Sequence, residues 1–335
     1  MIARTNGPRV SVTGLGCHVP ERVLSNDDLA KLVDTSDEWI VERTGIRERR
    51  IAADEEALTD IALPAARRAL EMANVDPATI DLVVVATVTP DMSFPSAGAL
   101  IADELGMPDA AAYDLSAGCT GFVYAIAQAH GMLAAGLSRR ALVVGGDVLS
   151  KILDWTDRST LVLFGDGAGA VVLERVDNGG GFLGFELGAD GGGGANLWLP
   201  GSGSRHFDDP DKVVKMNGRE VFKFATRVMV SSAEAILAEC RMTVDDVDLY
   251  VPHQANVRII DHAARKLGIP QEKIVVNVDR YGNTSSGSIP LALADAADEG
   301  RLEPGTLVLL TGMGAGLTWG SALIEWTTST TGAFA

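Results

Sequence analysis

The sequence predicts an α/β fold built from two similar halves. Three observations lead to this prediction. Strand-like apolar runs alternate with helical patterns, the order of these segments repeats once, and 335 residues exceed one ordinary hydrophobic core. Alternation of strands with helices is typical of layered α/β proteins. We therefore expect an N-terminal half, 1–175, and a C-terminal half, 176–335.

The strand predictions rest on short aliphatic and β-branched runs bounded by turn residues. The predicted strands are Val10–Thr13, Leu82–Ala86, Ala141–Val144, Ala170–Leu173, Leu249–Val251, Lys273–Asn277 and Leu307–Leu310. The helix predictions rest on apolar residues at three- and four-residue spacing. The predicted helices are Asp27–Leu32, Ser36–Arg43, Thr59–Met72, Ser96–Leu105, Cys119–Ala134, Gly218–Glu239, Val257–Leu267 and Ser286–Glu299. The segment 178–213 is rich in Gly, Asp, Ser and Pro, which predicts long loops.

The order of elements in the first half recurs in the second. The strand that begins near Ile80 leads through a helix and a strand to Cys119 and another helix, and Val247 leads in the same way to Asn283. The two separations agree to within about three residues. Generic likeness between βαβ units is the alternative explanation. If the halves are duplicated, Cys119 and Asn283 occupy equivalent strand-to-helix corners that face the middle of the molecule.

The composition disfavours several classes of function. A formal net charge of −17 argues against nonspecific binding to nucleic acid or to anionic membranes. Three irregularly spaced cysteines fit a reducing compartment, and no Cys/His cluster has the spacing of a zinc site. The N-terminus shows no apolar signal segment, so we expect a cytoplasmic protein. The uncharged stretch between Asp114 and Arg139 contains several glycines, and we interpret it as a buried helix rather than a membrane span.

Cys119 is the strongest candidate for a nucleophile. It lies between Gly118 and Gly121 at the predicted start of an apolar helix. The positive end of a helix dipole and the free backbone N–H groups there favour a thiolate, and the N–H of Cys119 itself is placed to bind an oxyanion. The alternative is that Cys119 is a small buried apolar residue, as Cys17 and Cys240 are expected to be.

His253 and Asn283 are the candidate partners of this thiol. His253 follows a strand in the sequence Val-Pro-His-Gln-Ala-Asn, where sites of α/β proteins form. Asn283 lies in a Gly-Asn-Thr-Ser corner, which by itself is more typical of a simple turn. A thiol, an imidazole and a carboxamide together are suited to acyl transfer through a thioester.

Two other classes of function remain as alternatives. A papain-like hydrolase also uses Cys, His and Asn in this chain order, but the sequence lacks its Cys-Gly-Ser-Cys-Trp signature. A non-catalytic binding module would leave the glycine-flanked thiol unexplained. The glycines after Phe164 resemble a dinucleotide fingerprint, but they run into a β-branched segment rather than a helix, so no NAD site is expected there.

The phrases around these residues resemble those of the β-ketoacyl-acyl-carrier-protein synthase III family, from about residue 10 to residue 326. The matching phrases are Asp34-Thr-Ser-Asp-Glu-Trp-Ile, Arg43-Thr-Gly-Ile-Arg, Phe94-Pro-Ser-Ala, Gly118-Cys-Thr-Gly-Phe, Asp157-Arg-Ser-Thr, Phe164-Gly-Asp-Gly-Ala-Gly, Val251-Pro-His-Gln-Ala-Asn, Gly282-Asn-Thr-Ser and Gly316-Leu-Thr-Trp-Gly-Ser. The resemblance implies a thiolase-like five-layer αβαβα fold and a homodimer. It implies condensation of an acyl-CoA primer with malonyl-acyl-carrier protein, without a cofactor. A related starter-unit synthase or acyltransferase of secondary metabolism is the alternative.

The resemblance also assigns expected roles by position. Cys119 resembles the acylated nucleophile, and His253 and Asn283 resemble the pair that binds the malonyl thioester carbonyl. The backbone N–H groups of Cys119 and Ala315 would form the oxyanion hole, although the family more often has glycine at Ala315. Residues expected to bind coenzyme A are Trp39, Arg43, Arg158, Met216, Phe222 and Asn256.

Three further expectations concern surfaces. Basic residues recur on the helix after Asn256, and with nearby residues they are expected to bind the acidic carrier protein; the set is Lys223, Gln254, Ala255, Asn256, Val257, Arg258, Arg265 and Lys266. A merely solvated helix face is the alternative. Phe94 is expected to reach across the dimer and close the partner's acyl pocket. Arg49 and Arg50 are interpreted as members of a solvated charge run.

Overall fold

The computed structural model describes residues 1–5, 7–176, 179–206 and 208–330. The strands are β1 Ile2–Arg4, β2 Arg9–His18, β3 Arg22–Ser25, β4 Glu48–Ile51, β5 Leu82–Ala86, β6 Ala111–Leu115, β7 Arg140–Asp147, β8 Gly167–Val176, β9 Gly181–Ala189, β10 Leu197–Trp198, β11 Lys215–Met216, β12 Leu249–Pro252, β13 Leu307–Gly314 and β14 Thr318–Glu325. The helices are α1 Asn26–Leu29, α2 Asp37–Thr44, α3 Leu58–Ala73, α4 Ala97–Glu104, α5 Gly121–Ala135, α6 Arg158–Leu161, α7 Gly218–Cys240, α8 Val257–Leu267, α9 Val278–Tyr281 and α10 Ser288–Asp298.

The two five-stranded sheets have four corresponding strands. The first has the order β2-β8-β7-β5-β6, and the second has the order β1-β9-β14-β13-β12. In each sheet an antiparallel strand, β8 or β14, joins the first of these strands, β2 or β9, to a parallel pair, β7 with β5 or β13 with β12. The fifth strand differs, because β6 extends the first sheet beyond β5 while β1 extends the second beyond β9. β1 lies in the first half of the sequence but pairs with β9 of the second sheet. The division of the chain after residue 175 stays a prediction.

The helices and sheets form five layers. α3 and α4 cover the outer face of the first sheet, and α7 and α8 cover the outer face of the second. α5 and α10 lie between the sheets and share one core with both. Because side chains alternate along a strand, Val83 and Val85 of β5 face the outer helices while Leu82 and Val84 face the central layer.

α5 is apolar on nearly all sides because it lies in this central layer. Phe122, Val123 and Ile126 are among its buried residues, and the helix ends at Gly136, whose φ of 78° is left-handed. The interpretation of the uncharged stretch between Asp114 and Arg139 as containing a buried helix is confirmed. Within the described ranges, no helix has the length and apolar character needed to span a bilayer.

Two sequence predictions about strands were wrong. The predicted strand Lys273–Asn277 contributes only one bridge, between Ile274 and Tyr250, and is otherwise irregular. The predicted loop segment 178–213 contains the nine-residue strand β9; Asn178 and Phe207 lie outside the described residues. Glycines hid this strand, because they lack the apolar side chains that mark a strand. They are needed for packing: a Cβ at Gly184 would lie 2.8 Å from Cys240 Sγ.

The interpretation of Arg49 as a solvated residue was also wrong. Its side chain is fully buried and donates to Leu24 O, Asn26 Oδ1 and Val162 O at 2.8–3.1 Å. Burial lowers the pKa of the guanidinium to about 10, so the group is still charged at neutral pH. Arg50 is half-buried, and its hydrogen bonds to Pro20 O and Glu21 O are longer, at 3.4 and 3.5 Å.

Candidate active site

Cys119 lies in a short 3-10 turn, Gly118–Thr120, that runs directly into α5. The turn contacts the loop that follows β13 at very short range. A Cβ at Gly314 would lie 2.4 Å from Cys119 N, and a Cβ at Gly118 would lie 2.7 Å from Ala315 N. Gly118 also has a left-handed φ of 57°, so glycine is required there on two grounds. The backbone N–H groups of Cys119 and Ala315 therefore lie close together, and both lower the pKa of the Cys119 thiol.

The expectation that Cys119 is a thiolate does not hold in this structure. Burial raises the pKa of the Cys119 thiol to about 11, and the charge of buried Asp147 acts in the same direction. The Ser285 side chain and the two backbone N–H groups oppose the rise without cancelling it. The thiol is therefore protonated at neutral pH, because the loss of hydration raises its pKa more than the neighbouring polar groups lower it.

The alkylation rate of Cys119 should consequently depend strongly on pH. Since only the thiolate reacts, we expect the rate with iodoacetamide to rise about tenfold per pH unit between about pH 7 and about pH 9. Peptide mass spectrometry would follow Cys119 separately from Cys17 and Cys240. A rate that is already constant at pH 7 would contradict the raised pKa.

His253 directly follows β12 at the carboxyl edge of the second sheet. Its backbone N–H donates to Thr311 O at 2.8 Å, and its ring Nδ1 lies 2.6 Å from Ser288 Oγ. The residue is 1% exposed, and Nε2 has no hydrogen-bond partner within the described residues. Burial lowers the pKa of the imidazole to about 3, so the ring is neutral at physiological pH.

Asn283 lies in the corner that precedes the 3-10 turn Ser285–Gly287 and α10, the counterpart of the corner that holds Cys119. Its backbone N–H donates to Leu163 O at 2.8 Å, which fixes the corner against the first half of the chain. The side-chain Oδ1 accepts a hydrogen bond from Ser285 N–H at 2.9 Å. The amide NH₂ is thus the group of Asn283 that is left to donate to a ligand.

Two cavities meet at Cys119. One, of about 160 Å³, brings together the three predicted catalytic residues and three of the predicted coenzyme A residues; it is lined by Cys119, His253, Asn283, Met216, Phe222 and Asn256, among others. The other, of about 260 Å³, has mostly apolar walls, among them Val88, Leu149, Ile152, Leu199 and Val214. Cys119 lines both cavities, so a group attached to its sulfur can extend into either of them.

The remaining predicted coenzyme A residues lie beside the first cavity. The guanidinium carbons of Arg43 and Arg158 lie 4.6 and 4.7 Å from the centroid of the Trp39 ring. Asn256, which lines the cavity, donates through Nδ2 to Arg43 O at 3.0 Å. This hydrogen bond joins the cluster of Trp39, Arg43 and Arg158 to the wall of the cavity. The two arginines of the cluster are exposed to solvent.

The predicted docking residues divide into three groups, which are exposed, half-buried and buried. Lys223, Arg258, Arg265 and Lys266 are exposed, and Lys223 is paired with Glu220 at 2.7 Å. Asn256 and Val257 are half-buried.

Gln254 and Ala255 do not fit the docking prediction. Gln254 is 1% exposed, and its side chain is fully engaged with Pro252 O, Val275 O and Asn277 N. Ala255 is 8% exposed and packs in the core beneath α8. Neither side chain is accessible to a carrier protein. Their place beside basic residues in the sequence was misleading because the chain turns inward before α8 begins.

Phe94 is 84% exposed in the single chain, an unusual position for a large aromatic side chain. It lies next to a groove of about 610 Å³ whose lining includes Asp91, Met92 and Ser93. Val88, Ile152 and Leu199 line both this groove and the apolar cavity at Cys119, so the two spaces are adjacent.

Sequence reasoning missed Asp147, Ser285 and Ser288. Asp147 is fully buried and accepts hydrogen bonds from Thr87, Val88, Thr89 and Ser286, which joins the two halves beside Cys119. A single charged residue at the end of a strand of Val and Gly gave only a weak sign in the sequence that Asp147 belongs to the site.

Among the described residues, no cluster of His, Cys, Asp or Glu could hold a metal ion.

Comparison with known proteins gives consistent results. The sequence profile described as 3-oxoacyl-[acyl-carrier-protein] synthase III matches residues 113–191, and that of the C-terminal part of the same enzyme matches residues 237–326. The chain is 54% identical over 323 residues to the β-ketoacyl-[acyl-carrier-protein] synthase III of Symbiobacterium thermophilum, covering 95% of this chain and 98% of the relative. The corresponding protein of Desulfitobacterium hafniense is 51% identical with the same coverage.

Solved structures agree. The crystal structure of β-ketoacyl-[acyl-carrier-protein] synthase III from Thermus thermophilus is 50% identical, with a TM-score of 0.90, and covers 94% of this chain and 99% of its own. Identity near 50% over almost the whole length excludes the papain-like and non-catalytic alternatives, and it favours fatty-acid synthesis over secondary metabolism. The chain belongs to the β-ketoacyl-[acyl-carrier-protein] synthase III family, acyltransferases of the condensing type with a thiolase-like fold that act in fatty-acid biosynthesis.

Proposed function

We propose that this chain transfers an acyl group from acyl-CoA to Cys119 and condenses it with malonyl-acyl-carrier protein. The observation that carries the proposal is that Cys119, His253 and Asn283 line one cavity, while Cys119 also lines a second cavity with mostly apolar walls. The products are CO₂ and a 3-oxoacyl-acyl-carrier protein. The reaction uses thioester substrates and no cofactor, and we expect it to take place in the cytoplasm.

In the first half-reaction the Cys119 sulfur attacks the acyl-CoA carbonyl, a new thioester forms, and coenzyme A leaves as a thiol that takes the proton of Cys119. The negative charge on the carbonyl oxygen is stabilised by the backbone N–H groups of Cys119 and Ala315, both of which act on the Cys119 thiol. A backbone donor is retained although residue 315 is alanine. The acyl chain then occupies the apolar cavity.

Coenzyme A binds to Trp39, Arg43 and Arg158, which lie beside the cavity that is lined by His253 and Asn283. Trp39 offers a ring face for the adenine, and the two nearby guanidinium groups suit both stacking and phosphate binding. Met216, Phe222 and Asn256 line the passage for the pantetheine arm.

In the second half-reaction the malonyl thioester replaces coenzyme A in this passage. Loss of CO₂ leaves an enolate, and His253 and Asn283 stabilise its oxygen as neutral donors. The enolate carbon attacks the acyl thioester and forms the new C–C bond, and the Cys119 sulfur leaves as a thiolate that takes a proton from water. The His253 imidazole acts as a neutral donor because burial lowers its pKa to about 3.

The test of the proposal is the covalent intermediate. Incubation with a panel of acyl-CoAs from acetyl to octanoyl should add one acyl mass to the peptide that contains Cys119. Subsequent malonyl-acyl-carrier protein should remove the adduct with release of CO₂. An unmodified Cys119 with every member of the panel would refute the proposal.

The enzyme is proposed to act as a homodimer. The support is the exposed Phe94 next to the groove that adjoins the acyl cavity. In the dimer this side chain would be buried against the partner and would close the far end of the partner's acyl cavity.

The carrier protein is proposed to dock on Lys223, Arg258, Arg265 and Lys266, near Asn256 and Val257. We expect Arg265→Glu to lower kcat/KM for malonyl-acyl-carrier protein about tenfold, because a charge at the edge of an interface mainly changes the association rate. Acylation of Cys119 by acyl-CoA should be unchanged.

The matched control is Arg67→Glu, the same charge change on exposed Arg67 of α3, in the opposite outer layer. If both variants lose the same activity toward malonyl-acyl-carrier protein, the effect is one of net charge and the proposed docking surface is wrong.

A further inference from the structure

Ser288 is the first residue of α10, and its side chain is buried against His253. The hydroxyl oxygen lies 2.6 Å from His253 Nδ1 and 3.4 Å from the backbone nitrogen of Gln254. Ser288 is 1% exposed, so both contacts are shielded from water. α10 therefore contributes a polar side chain to a site whose other parts lie after β12, after α9 and before α5.

The hydrogen-bond inventory of this hydroxyl fixes the direction of each contact. The Gln254 N–H can only donate, so it uses a lone pair of Ser288 Oγ. The hydroxyl then has one hydrogen to place, and in the described part of the chain its available acceptor is His253 Nδ1. If Nδ1 carried the proton instead, the buried hydroxyl hydrogen would lack an acceptor, which costs about 1–3 kcal/mol.

The consequence appears at the other ring nitrogen. When a neutral imidazole accepts at Nδ1, its proton is on Nε2. His253 Nε2 is buried and has no protein partner within the described residues, and the residue lines the cavity that contains Cys119 and Asn283. An Nε2–H without a partner in a substrate cavity is available to bind a substrate oxygen.

We propose that Ser288 is a positioning residue that holds His253 in the Nε2–H tautomer and so makes it a hydrogen-bond donor to the malonyl thioester. The inference rests on the proposed function, because it assigns His253 to the decarboxylation step. It does not concern acylation of Cys119, which uses the backbone N–H groups.

The first test measures the tautomer directly. In protein with ¹⁵N-labelled histidine at about pH 7, the signals of His253 are identified by their loss in His253→Ala. We expect the shifts of a neutral ring with protonated Nε2 and unprotonated Nδ1. A neutral ring with protonated Nδ1, or a doubly protonated ring, would overturn the proposal without any Ser288 variant.

The second test separates the half-reactions. Ser288→Ala should lower kcat for malonyl decarboxylation about tenfold or more, a part of the 10²–10³-fold loss typical when an oxyanion donor is removed. KM and the rate of Cys119 acylation should change less than about twofold. Ser288→Thr, which retains the hydroxyl, should recover activity relative to Ser288→Ala.

Ser232→Ala is the matched control, because Ser232 is also a buried serine with two side-chain partners, Glu186 and Ser321, but it is not part of the site. Equal loss of decarboxylation in Ser232→Ala and Ser288→Ala would mean that the loss in Ser288→Ala reflects a lower stability of the fold, and it would overturn the proposal. Absence of decarboxylation in the unaltered protein would instead refute the proposed function.

Discussion

Replacing Cys119 by alanine should reduce condensation by at least about 1000-fold, because no other group in the cavity can carry the acyl chain. Malonyl decarboxylation should persist in part, since the proposed mechanism assigns its oxyanion to His253 and Asn283, which line the same cavity and remain in place in this variant. His253→Ala should show the reverse pattern. It should lose about 100-fold or more in decarboxylation and still form the acyl adduct on Cys119.

The two half-reactions are measured separately, by mass of the acylated peptide and by release of labelled CO₂ from malonyl-acyl-carrier protein. The crossed pattern is the informative result. If Cys119→Ala lost decarboxylation while His253→Ala kept it, the roles assigned to the two residues would have to be exchanged. Loss of both reactions in both variants, with unchanged melting temperature, would show that the residues act as one unit.

The second large effect concerns stability. Arg49→Met should lower the free energy of unfolding by about 3 kcal/mol, because Leu24 O, Asn26 Oδ1 and Val162 O would each lose a buried donor at about 1 kcal/mol or more per bond. Methionine fills much of the space of the aliphatic stem, so the loss mainly reports hydrogen bonding. The urea midpoint and the melting temperature are the measurements.

Arg50→Met is the control at the next position. Arg50 is half-buried and its hydrogen bonds are 3.4 and 3.5 Å long, so we expect a change of less than about 1 kcal/mol. Equal stability of the two variants would mean that the Arg49 hydrogen bonds contribute little beyond what water supplies in the unfolded chain.

Much of the fold could be predicted from local patterns. α8 at Val257–Leu267 and β5 at Leu82–Ala86 have the predicted bounds, because a strongly amphipathic helix and a fully apolar strand carry unambiguous periodicity. The strand β9 could not be predicted in this way. Its glycines are explained by close contacts with α7 and with Trp319, partners that are remote in the sequence.

The sequence by itself determined the layered α/β class, the glycine-framed thiol and the family phrases that place His253 and Asn283 with it. These features depend on neighbours within a few residues, so a linear pattern records them.

Only the tertiary structure decided the protonation of Cys119, the burial of Arg49 and Gln254, and the contact of Ser288 with His253. Each depends on the removal of water by segments distant in the chain. The helix terminus visible in the sequence favours a thiolate, but the desolvation that raises the pKa of Cys119 arises when both halves close around the sulfur.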